Sequence, residues 1–269
     1  MSALNNYITF NHKALITMEA SLDLLSLLFL ISLIAGFVDS ISGGGGLISL
    51  PVLMMAGLTP AQALGTNKLQ GMFGKLSCVR YFHQQGILDF KAMKWLILAS
   101  FCGAAFGAVV VLHINSESLQ QYIPWLVGAI AIYLLCSPHI GDIDRRQRLT
   151  LGIIILPLIF VLSFYDGFFG PASGSFFTIF FVALLGCNLI KATAQTKVLL
   201  LVANIAALGV FIAGGSVMWK IGLCMAVGQW IGAHYGSKLV YSRGSKLIKP
   251  MLLSTCGVVV LKMVWFGQA

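Results

Sequence analysis

Apolar residues along this chain are gathered into long runs. Six of them, at 22–42, 94–113, 120–136, 149–165, 217–237 and 248–266, are nearly uninterrupted. Two more, 61–83 and 192–213, are as long but carry polar positions. About 20 mostly apolar residues carry a helix across the hydrocarbon core of a bilayer, so these eight runs predict membrane-spanning helices. Two shorter runs, 46–58 and 174–187, fall below that length. Each follows a polar, glycine-rich interruption, "DSISGGGG" at Asp39–Gly46 and "DGFFGPASGS" at Asp166–Ser175.

The two interruptions belong to a repeat. "DSISG" and "DGFFG" both place an aspartate four residues before a glycine, at an offset of 127. "ALGTNK" (Ala63–Lys68) and "ATAQTK" (Ala192–Lys197) match at 129, so the second copy gains two residues in between. At that offset Gly86–Lys91 pairs with Gly215–Lys220, and Ala99, Gly103 and Gly107 pair with Gly228, Gly232 and Gly236. The last six form small-xxx-small ridges, which let helix backbones approach closely in lipid. The expected organisation is an N-terminal extension at 1–21, a first transmembrane repeat at 22–140 and a second at 149–267. Met18 could serve as the start in place of Met1, and the run at 22–42 lacks the cleavage pattern of a signal peptide.

Basic clusters orient the repeats. Arg80, Lys91 and Lys94 form one, Arg145, Arg146 and Arg148 a second, and Lys238, Arg243, Lys246 and Lys249 a third. All three belong on the cytoplasmic side. That requires an even number of crossings between the second and third, which holds when the short run 174–187 counts as part of the path. Each copy then has five segments, and copies with an odd number insert in opposite senses. The predicted fold is an all-α polytopic membrane protein, an inverted repeat of eight full transmembrane helices and two short broken segments. Lys13 and Lys220 fall on the opposite side in this arrangement.

Irregular backbone at membrane depth is tolerated only where protein or a watery cavity surrounds it. In inverted repeats, such breaks meet near the midplane, and the short helices that follow point their N-termini at an anion. Gly43, Gly44, Gly45 and Gly46 are therefore expected to line one half of an anion site and Phe168 to Ser175, Gly170 among them, the other. The plainer alternative is that these glycines serve only tight packing. Lys68 and Lys197 occupy matched positions near helix starts, where ionisable residues mark function or else snorkel to the headgroups. Thr66 and Asn67 beside Lys68, and Gln195 and Thr196 beside Lys197, extend the polar patch. Seven residues further on, Lys75 and Asn204 are also matched, as a polar stripe along a pathway would be. Asp39 and Asp166 are read as caps or as partners of the lysines, with a proton-coupling role as the alternative.

Composition agrees with a membrane protein. Hydrophobic residues make up 58% of the 269 and charged residues 9%, against about a quarter charged in soluble domains. Mean hydropathy is +0.93. The net charge of +9 sits in short loops, so nucleic-acid binding is excluded. The six cysteines and five histidines show no metal-ligand spacing, and the cysteines read as small packing residues. No nucleophile motif stands out, so the chain is not read as an enzyme and no cofactor or metal is expected.

"AGFVDSISGGGGLISLP", "TNKLQ", "FYDGFFGPASGSF" and "KATAQTKVL" together resemble the TauE/SafE family of sulfite exporters and toluene-sulfonate uptake permeases, its YfcA-type members especially. The resemblance runs from about Leu22 to the C-terminus. It implies a multi-pass permease of the bacterial inner membrane for sulfur-containing anions such as sulfite or organosulfonates, with the Asp39 and Asp166 breaks and both lysine motifs in the family's signature. The expected partners are the bilayer and a small anion, a homo-oligomer being compatible. A scaffold or assembly factor without a substrate is the alternative. Transport predicts a hydrated cavity, whereas a scaffold predicts dry packing around the glycines.

Overall fold

The computed structural model describes residues 22–114 and 155–244. Among the described residues there are eight helices: α1 (Leu22–Ser42), α2 (Gly45–Met55), α3 (Pro60–Gln84), α4 (Phe90–Leu112), α5 (Ile155–Phe168), α6 (Ser173–Ala183), α7 (Leu189–Ala213) and α8 (Trp219–Arg243). Each predicted run in this range is a helix, the two short ones included. The runs 120–136 and 248–266, the first six residues of 149–165, the basic cluster at 145–148, and Lys246 and Lys249 lie outside the described residues. α1, α4 and α7 are long and apolar enough to cross a membrane. α3 and α8 are just as long, at 25 residues each, but more polar.

Local chemistry sets the helix starts. Thr59 caps α3 by accepting from the Gln62 amide, the Gln62 side chain returns the bond to the Thr59 amide, and Pro60 occupies the first turn. Asn188 accepts from the Lys191 amide at the matching start of α7. Asp89 accepts from the Lys91 and Ala92 amides at α4. This cap explains why α4 begins at Phe90, four residues before the apolar run: Lys91 and Lys94 interrupt the apolar pattern in its first turns.

Packing is reciprocal. α1 lies along α8 as α4 lies along α5, α3 packs on α8 as α7 packs on α4, and α3 meets α7 at the centre. Every one of these pairings has its counterpart when α1–α4 are exchanged with α5–α8. The glycine ridges carry the exchange to single atoms. A Cβ on Gly232 would strike the Leu33 carbonyl oxygen, and one on Gly103 the Phe160 carbonyl oxygen. Gly236 faces the Phe37 oxygen as Gly107 faces the Phe164 oxygen. Leu33 and Phe160, like Phe37 and Phe164, stand 127 apart.

Beside its apolar core, the fold differs from a soluble protein in what it exposes and in the charges it buries. Leu27, Leu30 and Ile34 on α1, Trp95, Leu98, Phe101 and Phe106 on α4, and Leu223 and Val227 on α8 face outward. Asp39, Lys68, Lys75, Asp166 and Lys197 are buried. An apolar exterior around an ionic interior suits lipid as the solvent. Among the described residues Cys78, Cys102 and Cys224 are free thiols, with Cys78 buried in a packed apolar cluster.

Candidate functional site

The two breaks touch. Gly43, at φ +76°, ends α1, and Gly170, at φ +96°, follows α5. Both lie in the left-handed region open to glycine. A Cβ on Gly43 would meet the Gly174 backbone, and one on Gly174 the Gly43 backbone. The Ser175 hydroxyl donates to the Ser42 carbonyl at 2.6 Å. Two residues separate α1 from α2 and four separate α5 from α6, so the two-residue gain of the second copy lies inside the break itself. Ala172, at φ 60°, is in the added stretch.

Beyond the break the 129 offset governs the bonds. Ser49 donates to its own helix at Gly45 O and to Asn67 Oδ1, at 3.1 and 2.6 Å. Thr178 donates to Gly174 O and to Thr196 Oγ1, at 2.8 and 3.3 Å. All three residue pairs (Ser49 and Thr178, Gly45 and Gly174, Asn67 and Thr196) stand 129 apart.

The aspartates and lysines pair crosswise. Lys68 Nζ on α3 lies 2.8 Å from Asp166 Oδ2 on α5 and also donates to the Asp166 carbonyl. Lys197 on α7 donates to the Asp39 carbonyl on α1 and stands 3.7 Å from Asp39 Oδ2. Neither lysine snorkels, since their exposures are 2% and 1%. The two pairs are not equally tight. Asp166 Oδ1 also accepts from Ser173 Oγ at 2.6 Å. Asp39 Oδ1 accepts only a long 3.3 Å bond from the Gly45 amide. Asp39 Oδ2 has no hydrogen bond and instead faces two ammoniums, Lys197 and Lys75, the latter at 3.5 Å.

A polar cavity of about 20 Å³ lies between these groups, room for about one water. On one side it is lined by Asp39, Gly43, Gly46, Asn67, Lys68 and its helix neighbours Gly71 and Lys75. Asp166, Gly170, Ser173, Asn204 and Gln229 close the other side. Of the residues singled out in the sequence, Gly44 and Gly45 form the start of α2 behind Asp39. Thr66 accepts from the Met218 amide at 3.1 Å and so holds the start of α8. Gln195 accepts from the Cys187 thiol at 3.5 Å. Thr196 holds Thr178, and Lys197 reaches Asp39 from outside the cavity lining.

Gly71 and Gln229 lie outside the expected set, Ser173 falls within the expected second half, and Lys75 enters it only as part of the polar stripe. A signal existed for two of them. Lys75 is an ionisable residue two turns beyond Lys68 on one helix face, and Gln229 is an amide within the otherwise small and apolar face of α8. The site holds polar space and packed glycines together: the polar cavity lies at Lys68 and Lys75 and the close contact at Gly43 and Gly174.

The sulfite exporter TauE/SafE family matches residues 28–263. The chain belongs to the TauE/SafE family. It is 44% identical over 242 residues to the probable membrane transporter protein YfcA of Escherichia coli, covering 90% of each chain. It is 41% identical to a probable membrane transporter protein of Haemophilus influenzae, over 92% of this chain and 97% of the relative. It is also 41% identical to the probable membrane transporter protein ORF9 of a Sinorhizobium species, over 93% and 99%. No solved structure matches. Family and relatives thus agree on a membrane transporter, as the TauE/SafE motifs in the sequence implied.

Proposed function

We propose that this TauE/SafE protein is a multi-pass permease of the bacterial inner membrane that moves a small sulfur-containing oxyanion, a sulfonate or sulfite. The observation that carries the reading is the charge of the interior. Among the described residues, three lysines and two aspartates are the buried charged side chains, so the cluster is formally one positive charge in excess. In a low-dielectric interior such an excess is costly until a counter-ion arrives. Both groups of four helices contribute to the cavity, as alternating access around a central site requires.

The reciprocal contacts support two repeats related by a two-fold axis, and the placement of the basic clusters favours their opposite insertion. An exchange that maps α1–α4 onto α5–α8, down to Gly107 and Gly236 on matching carbonyls, is what a two-fold relation between the copies produces. The cavity is too small for an oxyanion, so this arrangement is read as a closed one that widens to load. The scaffold alternative draws support from the packing of Gly43 on Gly174, but it leaves the surplus charge without a purpose.

Flux measured in proteoliposomes distinguishes the two. Sulfite, thiosulfate and sulfoacetate are presented on one side, with acetate and succinate as controls. Protein-dependent movement of at least one sulfur oxyanion is expected, above the controls. Fluxes equal to those of protein-free vesicles for all of them would overturn the transport reading.

A further inference from the structure

The surplus cation can be located. Lys68 is committed to Asp166, through both its carboxylate and its carbonyl. Lys197 is committed to the Asp39 carbonyl. Lys75 has the weakest hold of the three, with its ammonium 3.5 Å from an Asp39 oxygen that Lys197 also faces. It is also the most accessible of them, with its side chain 11% exposed, and it lines the cavity.

A second donor converges on the same point. A Cβ placed on Gly71 would lie 2.8 Å from Asn204 Nδ2 and 3.2 Å from Lys75 Nζ. Both donors therefore converge beside this glycine, and an oxygen atom seated in the cavity next to it, at van der Waals distance from the Gly71 Cα, is within reach of both. Gln229, 3% exposed, adds a side-chain amide to the lining with its Oε1 unpartnered. Its oxygen and nitrogen can exchange places by a flip, which offers the cavity one more donor.

We infer that Lys75 and Asn204, above Gly71, form the binding point for a singly charged oxyanion headgroup of the sulfonate type, and that the bound anion draws Lys75 away from Asp39. This rests on the transport reading and narrows it. One negative charge brings the buried cluster of Asp39, Asp166, Lys68, Lys75 and Lys197 to neutrality. A dianion would leave it one charge negative, at the cost that buried uncompensated charge carries. The donors recognise oxygen atoms on the headgroup, while the charge count selects among anions that present them.

The test uses the full-length protein purified in detergent and two probes of one shape, methanesulfonate and methylphosphonate, titrated by calorimetry. Methanesulfonate keeps one charge throughout, whereas methylphosphonate passes from monoanion to dianion as pH rises. The ratio of the two affinities cancels any titration of the protein. It is expected to fall at least about tenfold against methylphosphonate across that transition. Lys75→Gln and Gly71→Ala should each weaken methanesulfonate about ten- to a hundredfold. The first removes the charge, and the second sets a methyl group against both donors with every charge kept. Lys75→Arg should stay within a few-fold of the parent. An unchanged ratio, or parental binding by both Lys75→Gln and Gly71→Ala while the parent still transports, would overturn the assignment and leave the transport reading intact. A parent that neither binds nor moves any anion removes both.

Discussion

Lys68 on α3 and Asp166 on α5 are 98 residues apart in the chain and joined at 2.8 Å in the interior. Each is matched in the repeat by the members of a second pair, Lys197 and Asp39. The pairing is therefore crossed: each lysine binds the aspartate of the other group of helices. These contacts tie the two breaks together and fix where the cavity lies between them.

Breaking such a buried pair by removing one partner costs about 3–5 kcal/mol, because the other charge is left uncompensated. Lys68→Gln is expected to lower the melting temperature of the purified protein strongly, with Asp166 orphaned. Asp166→Asn alone should do the same. The double variant Lys68→Gln with Asp166→Asn should recover much of the loss, since no bare charge remains. Thermal melts in one detergent, read as a double-variant cycle, measure the coupling. Additive losses in the double variant would mean that the pair contributes nothing as a pair. Lys75→Gln should cost far less than Lys68→Gln, in line with its looser 3.5 Å contact.

The glycine ridges make a second expectation. A Cβ on Gly107 would collide with the Phe164 carbonyl and lie 2.8 Å from the Phe168 amide, and α4 cannot yield without parting from α5. Gly107→Val should reduce the folded fraction recovered from membranes, read by size-exclusion profile. Gly209 is the control within the same bundle. A Cβ there meets nothing within 4 Å, and replacing a mid-helix glycine by alanine stabilises by up to about 1 kcal/mol. Gly209→Ala should therefore be neutral or beneficial. Equal folded yields from both variants would show that close approach of the backbones does not govern the ridge.

Much of this was legible in the sequence. The run at 22–42 coincides with α1 because an unbroken apolar stretch ends at a glycine that no helix geometry accommodates at φ +76°. The matched aspartates, lysines and ridge glycines were visible as spacing alone. What spacing could not say was which aspartate meets which lysine. Asp39 lies as near in sequence to Lys68 as Asp166 does to Lys197, and only the interlocking of α1 with α8 and of α4 with α5 crosses them. Lys75 stayed in the background for a related reason. Gly71 and Gly74 on its helix read as packing residues, and in part they are, since Gly74 faces the Gln229 side chain. Only the position of Asn204 across the bundle turns Gly71 into a hollow.

The opposite insertion of the two repeats gives the last expectation. Lys91 and Lys220 are matched at 129, lie in the first turns of α4 and α8 and are exposed. They follow equivalent turns, since Gly86 and Gly215 both have positive φ, at +69° and +65°. If a two-fold axis in the membrane plane relates the copies, these two residues sit on opposite faces of the bilayer. If the axis runs along the membrane normal, they share a face. The positive-inside rule favours the first, because Arg80, Lys91 and Lys94 mark a cytoplasmic turn while Lys220 stands without basic neighbours in its own. Single cysteines at Lys91→Cys and Lys220→Cys, in a background stripped of the six native cysteines, can be tested with a membrane-impermeant maleimide. In intact cells with a permeabilised outer envelope, the cysteine at 220 should label and the one at 91 should be protected. Inverted vesicles should reverse the pattern. Labelling of both from one side would refute the inverted arrangement and replace it with a parallel repeat, in which the crossed pairs of Lys68 with Asp166 and Lys197 with Asp39 would lie at one common depth on the same side.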